Sequence, residues 1–188
     1  MELVSTQQRK KIHPHKFTLW VAIGSIVMMF AGLTSAYIVK SGQATWQSIT
    51  IPGTFWYSTG VILLSSLTMQ MALRSFKERE MNKYRTLVAT TMALGILFTV
   101  LQYFGFQQLW NSGVTFRGSS AGQFLYVIAG LHVLHVLGGV IALIVLFIKA
   151  FFGTTKIYSS VPTELASIYW HFVDVLWIYL FVFFMWIG

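Results

Sequence analysis

The sequence predicts an all-α, polytopic membrane bundle of five transmembrane helices, N-terminus cytoplasmic and C-terminus outside. Three observations carry that reading. Hydrophobic residues make up 56% of the 188 residues and charged residues 10%, against about 25% charge in a soluble domain. Five stretches are uncharged or nearly so, each near the roughly 20 residues a helix needs to cross the hydrocarbon. Lysine and arginine fall on alternate sides of those stretches, eleven against two. Lipid is therefore the solvent, and helices are favoured over barrel strands, which are about 10 residues long and strictly alternating.

A basic tail, residues 1–16, carries Arg9, Lys10, Lys11 and Lys16. One domain, residues 17–188, follows, with spans expected at about 17–39, 54–73, 86–107, 121–148 and 166–187. The first span could be taken for a signal peptide, but its apolar core exceeds the usual 7 to roughly 15 residues, which favours a retained helix. The Pro52-Gly53 break precedes the second. Arg74, Lys77, Arg79, Lys83 and Arg85 separate the second from the third, and Lys149 and Lys156 separate the fourth from the fifth. The other two loops hold only Lys40 and Arg117. Cytoplasmic loops collect lysine and arginine, so this pattern sets the orientation. It also explains the net charge of +8 without a nucleic-acid partner. The absence of cysteine excludes disulfides, thiolate metal sites and cysteine catalysis.

Small residues are spaced for helix contact: Gly24, Gly32 and Ala36, with Ala31 and Ser35 beside them, and Gly130, Gly138 and Gly139. Lipid supplies no hydrophobic drive between helices, so close backbone approach is the expected use. Their plain frequency in membrane helices is the competing reading. In the third span Gln102, Gln107 and Gln108 stand near Tyr103 and Trp110. This reads as an interfacial belt. A quinone or transport site is open there, without a spacing that favours it.

The ionisable residues are the unusual ones. Thr163 is the expected cap of the fifth helix, with Glu164 in its first turn, where a carboxylate suits the helix dipole. Glu164, His171 and Asp174 then share one stripe, flanked by Trp170 and Trp177, and Asp174 lies about 15 Å along the helix. An ionised aspartate at that depth costs at least about 2.5 kcal/mol. The stripe should therefore face other helices, with Ile168, Leu176 and Phe183 nearer lipid. His171 is three residues before Asp174, close enough for a hydrogen bond. A buried interhelical fastener and a proton relay are the two readings. In the fourth span His132 and His135 share a face. A haem held by His135 and His171 is geometrically conceivable, and a polar clamp between helices is its alternative.

Four stretches bring a resemblance. "YWHFVDVLW", Tyr169 to Trp177, and "GLHVLHVLGG" in the fourth span resemble two signatures of the subunit III family of haem-copper terminal oxidases. "FAGLTSAYIV" and "LLSSLTMQMAL" are similar to further segments of that family, in the same order. The match runs from about Leu19 onward and resembles the short bacterial form, which lacks the first two of seven helices. The resemblance implies a non-catalytic accessory subunit of a respiratory cytochrome c oxidase, a proton-translocating, oxygen-reducing complex of the bacterial inner membrane. It implies packing on catalytic subunit I and structural phospholipid. Haem and copper then belong to partner subunits, none to this chain. A larger respiratory supercomplex stays open.

The implied sites are an interhelical polar cluster of His132, His135, Glu164, His171 and Asp174. Lipid candidates are Trp170, Trp177, Arg79, Lys83 and Arg85. A haem b-binding redox subunit using His135 and His171 is the alternative, and a small transporter a third class. Two positions depart from the family. Ile26 and Gly105 stand where members commonly carry a membrane glutamate, so a proton path through those carboxylates is absent.

Overall fold

The computed structural model describes residues 14–43, 46, 49, 51–116, 118–152 and 160–187. It holds five α-helices: α1 Pro14–Ser41, α2 Thr54–Lys77, α3 Met81–Asn111, α4 Ser120–Phe152 and α5 Val161–Ile187. All five expected spans are helical, and most run past the apolar stretch that announced them. Helix propensity and intrahelical hydrogen bonds continue where hydrophobicity stops. α1, α3, α4 and α5 are long and apolar enough to cross a membrane. α2 spans 24 residues and is the more polar, with "SSLTMQ" at its centre. The chain is a multi-pass membrane protein.

The helices run up and down. Lys16 at the start of α1 and Lys77 at the end of α2 both reach Glu164 at the start of α5. Tyr84 at the start of α3 bonds Thr163 there too, at 3.2 Å. The opposite end joins Thr54 to Gln108 at 2.9 Å and Tyr37 to Phe183 and Phe184. The α2–α3 turn is the tightest connection, and Arg79 adopts a left-handed φ of 61° within it. Of the cations that set the expected orientation, Arg9, Lys10, Lys11, Arg117 and Lys156 lie outside the described residues.

α5 is the hub. It lies beside α1, α2 and α4, while α3 packs on α2 and α4. Its inward face is wider than a stripe, because three helices surround it. Two sequence expectations fail for that reason. Leu176 and Phe183, expected nearer lipid, are buried. The outward face is instead Val175, Tyr179, Val182, Met185 and Trp186. Thr163 does not cap α5 either: the helix begins at Val161, and Thr163 lies inside its first turn.

The small residues of α1 are also misplaced by the sequence reading. Gly24, Ala31, Gly32, Ser35 and Ala36 are exposed, and a Cβ on either glycine would meet nothing within 4 Å. α1 holds the bundle instead with Ile23, Phe30, Thr34 and Tyr37. Gly130 likewise faces open space, whereas Gly139 makes the expected close approach.

Candidate functional site

The site begins with Trp170. Its six-membered ring wedges between two backbones: a Cβ at Gly95 of α3 would lie 2.8 Å from it, and one at Gly139 of α4 2.9 Å. Only glycine leaves room on both sides. The indole Nε1 donates to Ser65 Oγ of α2 at 3.0 Å. Trp177, two turns on, repeats the pattern with Nε1 donating to Thr59 Oγ1 at 3.0 Å. An indole N–H needs a partner when buried, and α2 supplies both hydroxyls. The expectation that these tryptophans touch lipid is thereby corrected. They are 1% and 2% exposed, in the protein core.

The polar residues of α5 lie on the seam with α2. His171 Nδ1 is 2.6 Å from Ser66 Oγ, and Nε2 is 3.3 Å from Gln70 Oε1. Both ring nitrogens are spent on α2, so the hydrogen bond expected between His171 and Asp174 is not made. Asp174 is 2% exposed, and neither carboxyl oxygen has a hydrogen-bond partner among the described residues. Ser66 is its polar neighbour, and that hydroxyl already pairs with His171. Glu164 sits in the first turn of α5, 2.5 Å from Lys16 Nζ and 4.0 Å from Lys77 Nζ.

The α4 histidines take other neighbours. His132 is fully buried and stacks on Trp177, ring centroids 5.3 Å apart, with both nitrogens unpartnered among the described residues. His135 bonds the Leu131 carbonyl of its own helix at 2.7 Å and meets Phe30 of α1 edge-on. Its backbone oxygen accepts from Tyr169 OH at 3.1 Å. The five expected residues therefore make separate contacts rather than one hydrogen-bonded cluster. His135 faces α1 and its own helix while His171 faces α2, so they are not arranged around one ligand. Among the described residues, no three of His, Asp and Glu gather as a metal site.

A family model for cytochrome c oxidase subunit III matches residues 15–188. The chain belongs to the cytochrome c oxidase subunit III family. It is 30% identical to a probable cytochrome c oxidase subunit 3 of Nocardia farcinica, over 92% of this chain and 90% of the relative. It is 28% identical to the subunit 3 of Bacillus sp. strain PS3, over 86% and 80%. A Rickettsia felis relative is 33% identical over 80% of this chain but only 55% of its own length. As a subunit III, the chain is part of the oxidase complex and implies partner subunits.

The structure also accounts for one departure from the family pattern. Gly105 faces the Phe55 ring of α2, and a Cβ there would stand 3.0 Å from it. A glutamate at 105 would need that ring to move. Ile26 is partly buried and packs against the core.

The sequence reading missed Ser65, Ser66 and Thr59 as partners, and Gly95 as half of the tryptophan slot. The run of small hydroxyls in α2 was their only signal. Among the remaining lipid candidates, Arg79 and Lys83 are exposed. Lys83 pairs with Glu80 at 2.7 Å, and Arg85 lies over the Phe151 ring at 5.8 Å.

Proposed function

We propose that the chain is a non-catalytic accessory subunit that packs on the catalytic subunit I and stabilises it. In this reading electrons, oxygen and pumped protons pass through other chains, which hold the haem and copper. All five helices span a bacterial cytoplasmic membrane, the N-terminus inside and the C-terminus outside. Arg79, Lys83 and Arg85 then line the cytoplasmic face, where anionic phospholipid headgroups gain about 1 kcal/mol per nearby basic residue.

The observation that carries the reading is how the ionisable residues are used. Glu164 and His171 each spend their polar atoms on a neighbouring helix, as fasteners do. A reaction centre would turn such atoms toward a shared ligand. Asp174 supports the same reading from the other side. It is 2% exposed and has no hydrogen-bond partner among the described residues, so it carries a desolvation cost that the packing of the helices around it must sustain.

The test is Asp174→Leu in the complete complex. Expected is weaker retention of this subunit, or a shorter active lifetime of the oxidase, with the haem spectrum unchanged. Unchanged assembly, lipid content and lifetime would overturn the role. Haem absorbance in the isolated chain would favour a redox subunit using His135 and His171.

A further inference from the structure

Two glutamines, Gln70 and Gln102, stand well inside their helices, and they are used differently. Gln102, expected in an interfacial belt, is 1% exposed and donates to Ser58 Oγ of α2 at 3.1 Å. Gln70 of α2 is exposed. It precedes Lys77 by two helical turns, which puts it about 10 Å inside that end of α2. With α2 spanning the bilayer, as proposed above, that depth is hydrocarbon.

The amide of Gln70 is half spent. Its Oε1 can only accept, so it takes the proton of His171 Nε2, 3.3 Å away. The neutral ring then accepts at Nδ1 from Ser66 Oγ. The amide nitrogen of Gln70 keeps both protons, with no acceptor among the described residues. Turned over, the amide would leave its oxygen outward instead, so one polar atom faces out in either sense. Other exposed polar side chains avoid this. Ser25, Thr86 and Thr90 each donate to a carbonyl one turn back in their own helix, at 3.1, 3.1 and 3.0 Å. Lipid tails offer neither donor nor acceptor, and the headgroups lie two turns away.

Gln70 also belongs to a stripe. Trp56, Gly60, Leu63, Leu67, Gln70 and Arg74 are all exposed, and their spacings alternate four and three. That is the repeat of about 3.5 residues with which one helix grips another. The middle of the stripe is apolar, and Gly60 leaves open space above the backbone. A single polar position in such a seam fixes the register of the partner.

We propose that this face of α2 seats a transmembrane helix from a companion subunit of the oxidase, one that presents a hydrogen-bonding side chain to Gln70. Within hydrocarbon only helices and closed barrels satisfy their own backbone, so the occupant at this depth is a spanning helix. Membership of the oxidase complex supplies companion chains. The inference rests on α2 crossing the membrane. His171 and Ser66 hold the amide in place, so the seam that fastens α5 to α2 also aims the docking group.

The experiment places a diazirine analogue of leucine at Leu67 alone and irradiates the chain in lipid nanodiscs, first isolated and then in the complete oxidase. In the isolated chain the probe should label acyl chains. No acyl label there would overturn the spanning of α2 and the proposal with it. In the complex most acyl labelling should be lost and a companion subunit labelled instead, identified by mass. Gln70→Leu should weaken retention of the chain in the complex about threefold, the value of one average hydrogen bond between membrane helices. Gly60→Trp should weaken it further, and it should fold, since a Cβ at Gly60 meets nothing within 4 Å. Acyl labelling that is the same in the isolated chain and the complex would overturn the proposal alone. So would an adduct with a second copy of this chain, or unaltered retention of both variants.

Discussion

α5 and α1 are both apolar helices, of 27 and 28 residues, and both are rich in residues suited to close packing. They are used in opposite ways. α5 buries eleven residues, among them Trp170, Asp174 and Trp177, and ties itself to α2 through named hydrogen bonds. α1 buries four, and its glycines face outward. The difference shows that small residues do not make an interface by themselves. Gly95 and Gly139 are effective because a large ring fills the space they leave. Gly24 and Gly32 have no ring opposite among the described residues.

Trp170→Ala should break the stronger of the two regions. Emptying the slot between α3 and α4 costs about 3–5 kcal/mol, read as a loss of thermal stability in detergent. Gly139→Val tests the same slot from its wall. Overpacking against the indole costs about 1–3 kcal/mol. The cost should shrink when Trp170→Leu is introduced with it, and an undiminished cost would separate the glycine from the ring. Asp174→Leu sharpens the comparison in another way. In the isolated chain it should leave stability equal or raise it by up to about 1–3 kcal/mol, since an unsatisfied buried group is removed. A large loss there would reveal a partner inside the chain. Tyr179→Phe cuts the 2.9 Å bond to Thr34 that joins α5 to α1, a change of about 0.6 kcal/mol in a membrane. Gly32→Leu on the open face of α1 should move the isolated chain by no more than about 0.5 kcal/mol.

How much of this was legible beforehand differs by feature. Five helices follow from hydrophobic length alone, since a buried backbone in lipid must bond within its own segment. The inward turn of Glu164, His171 and Asp174 also follows from the cost of charge in hydrocarbon. Their partners do not. Ser66 and Gln70 meet His171 because of how α2 and α5 are rotated about their axes, and rotation is set by packing. Trp170 illustrates the limit best. A tryptophan in a membrane helix suggests the interface, and only the coincidence of Gly95, Gly139 and Ser65 on three other helices turns it inward. Leu176 and Phe183 failed for the related reason that three neighbouring helices widen the buried face of α5 and leave only a narrow outward face through Val175, Tyr179, Val182 and Trp186.

The tryptophan slot also orders the birth of the bundle. Three separate helices frame it, and its occupant sits in α5, which is made after all three. A nascent chain halted before residue 161 would hold a gap walled by two bare backbones and a stranded serine hydroxyl. Closure therefore waits on α5, which gives quality control a way to tell a chain that has made this helix from one halted before it.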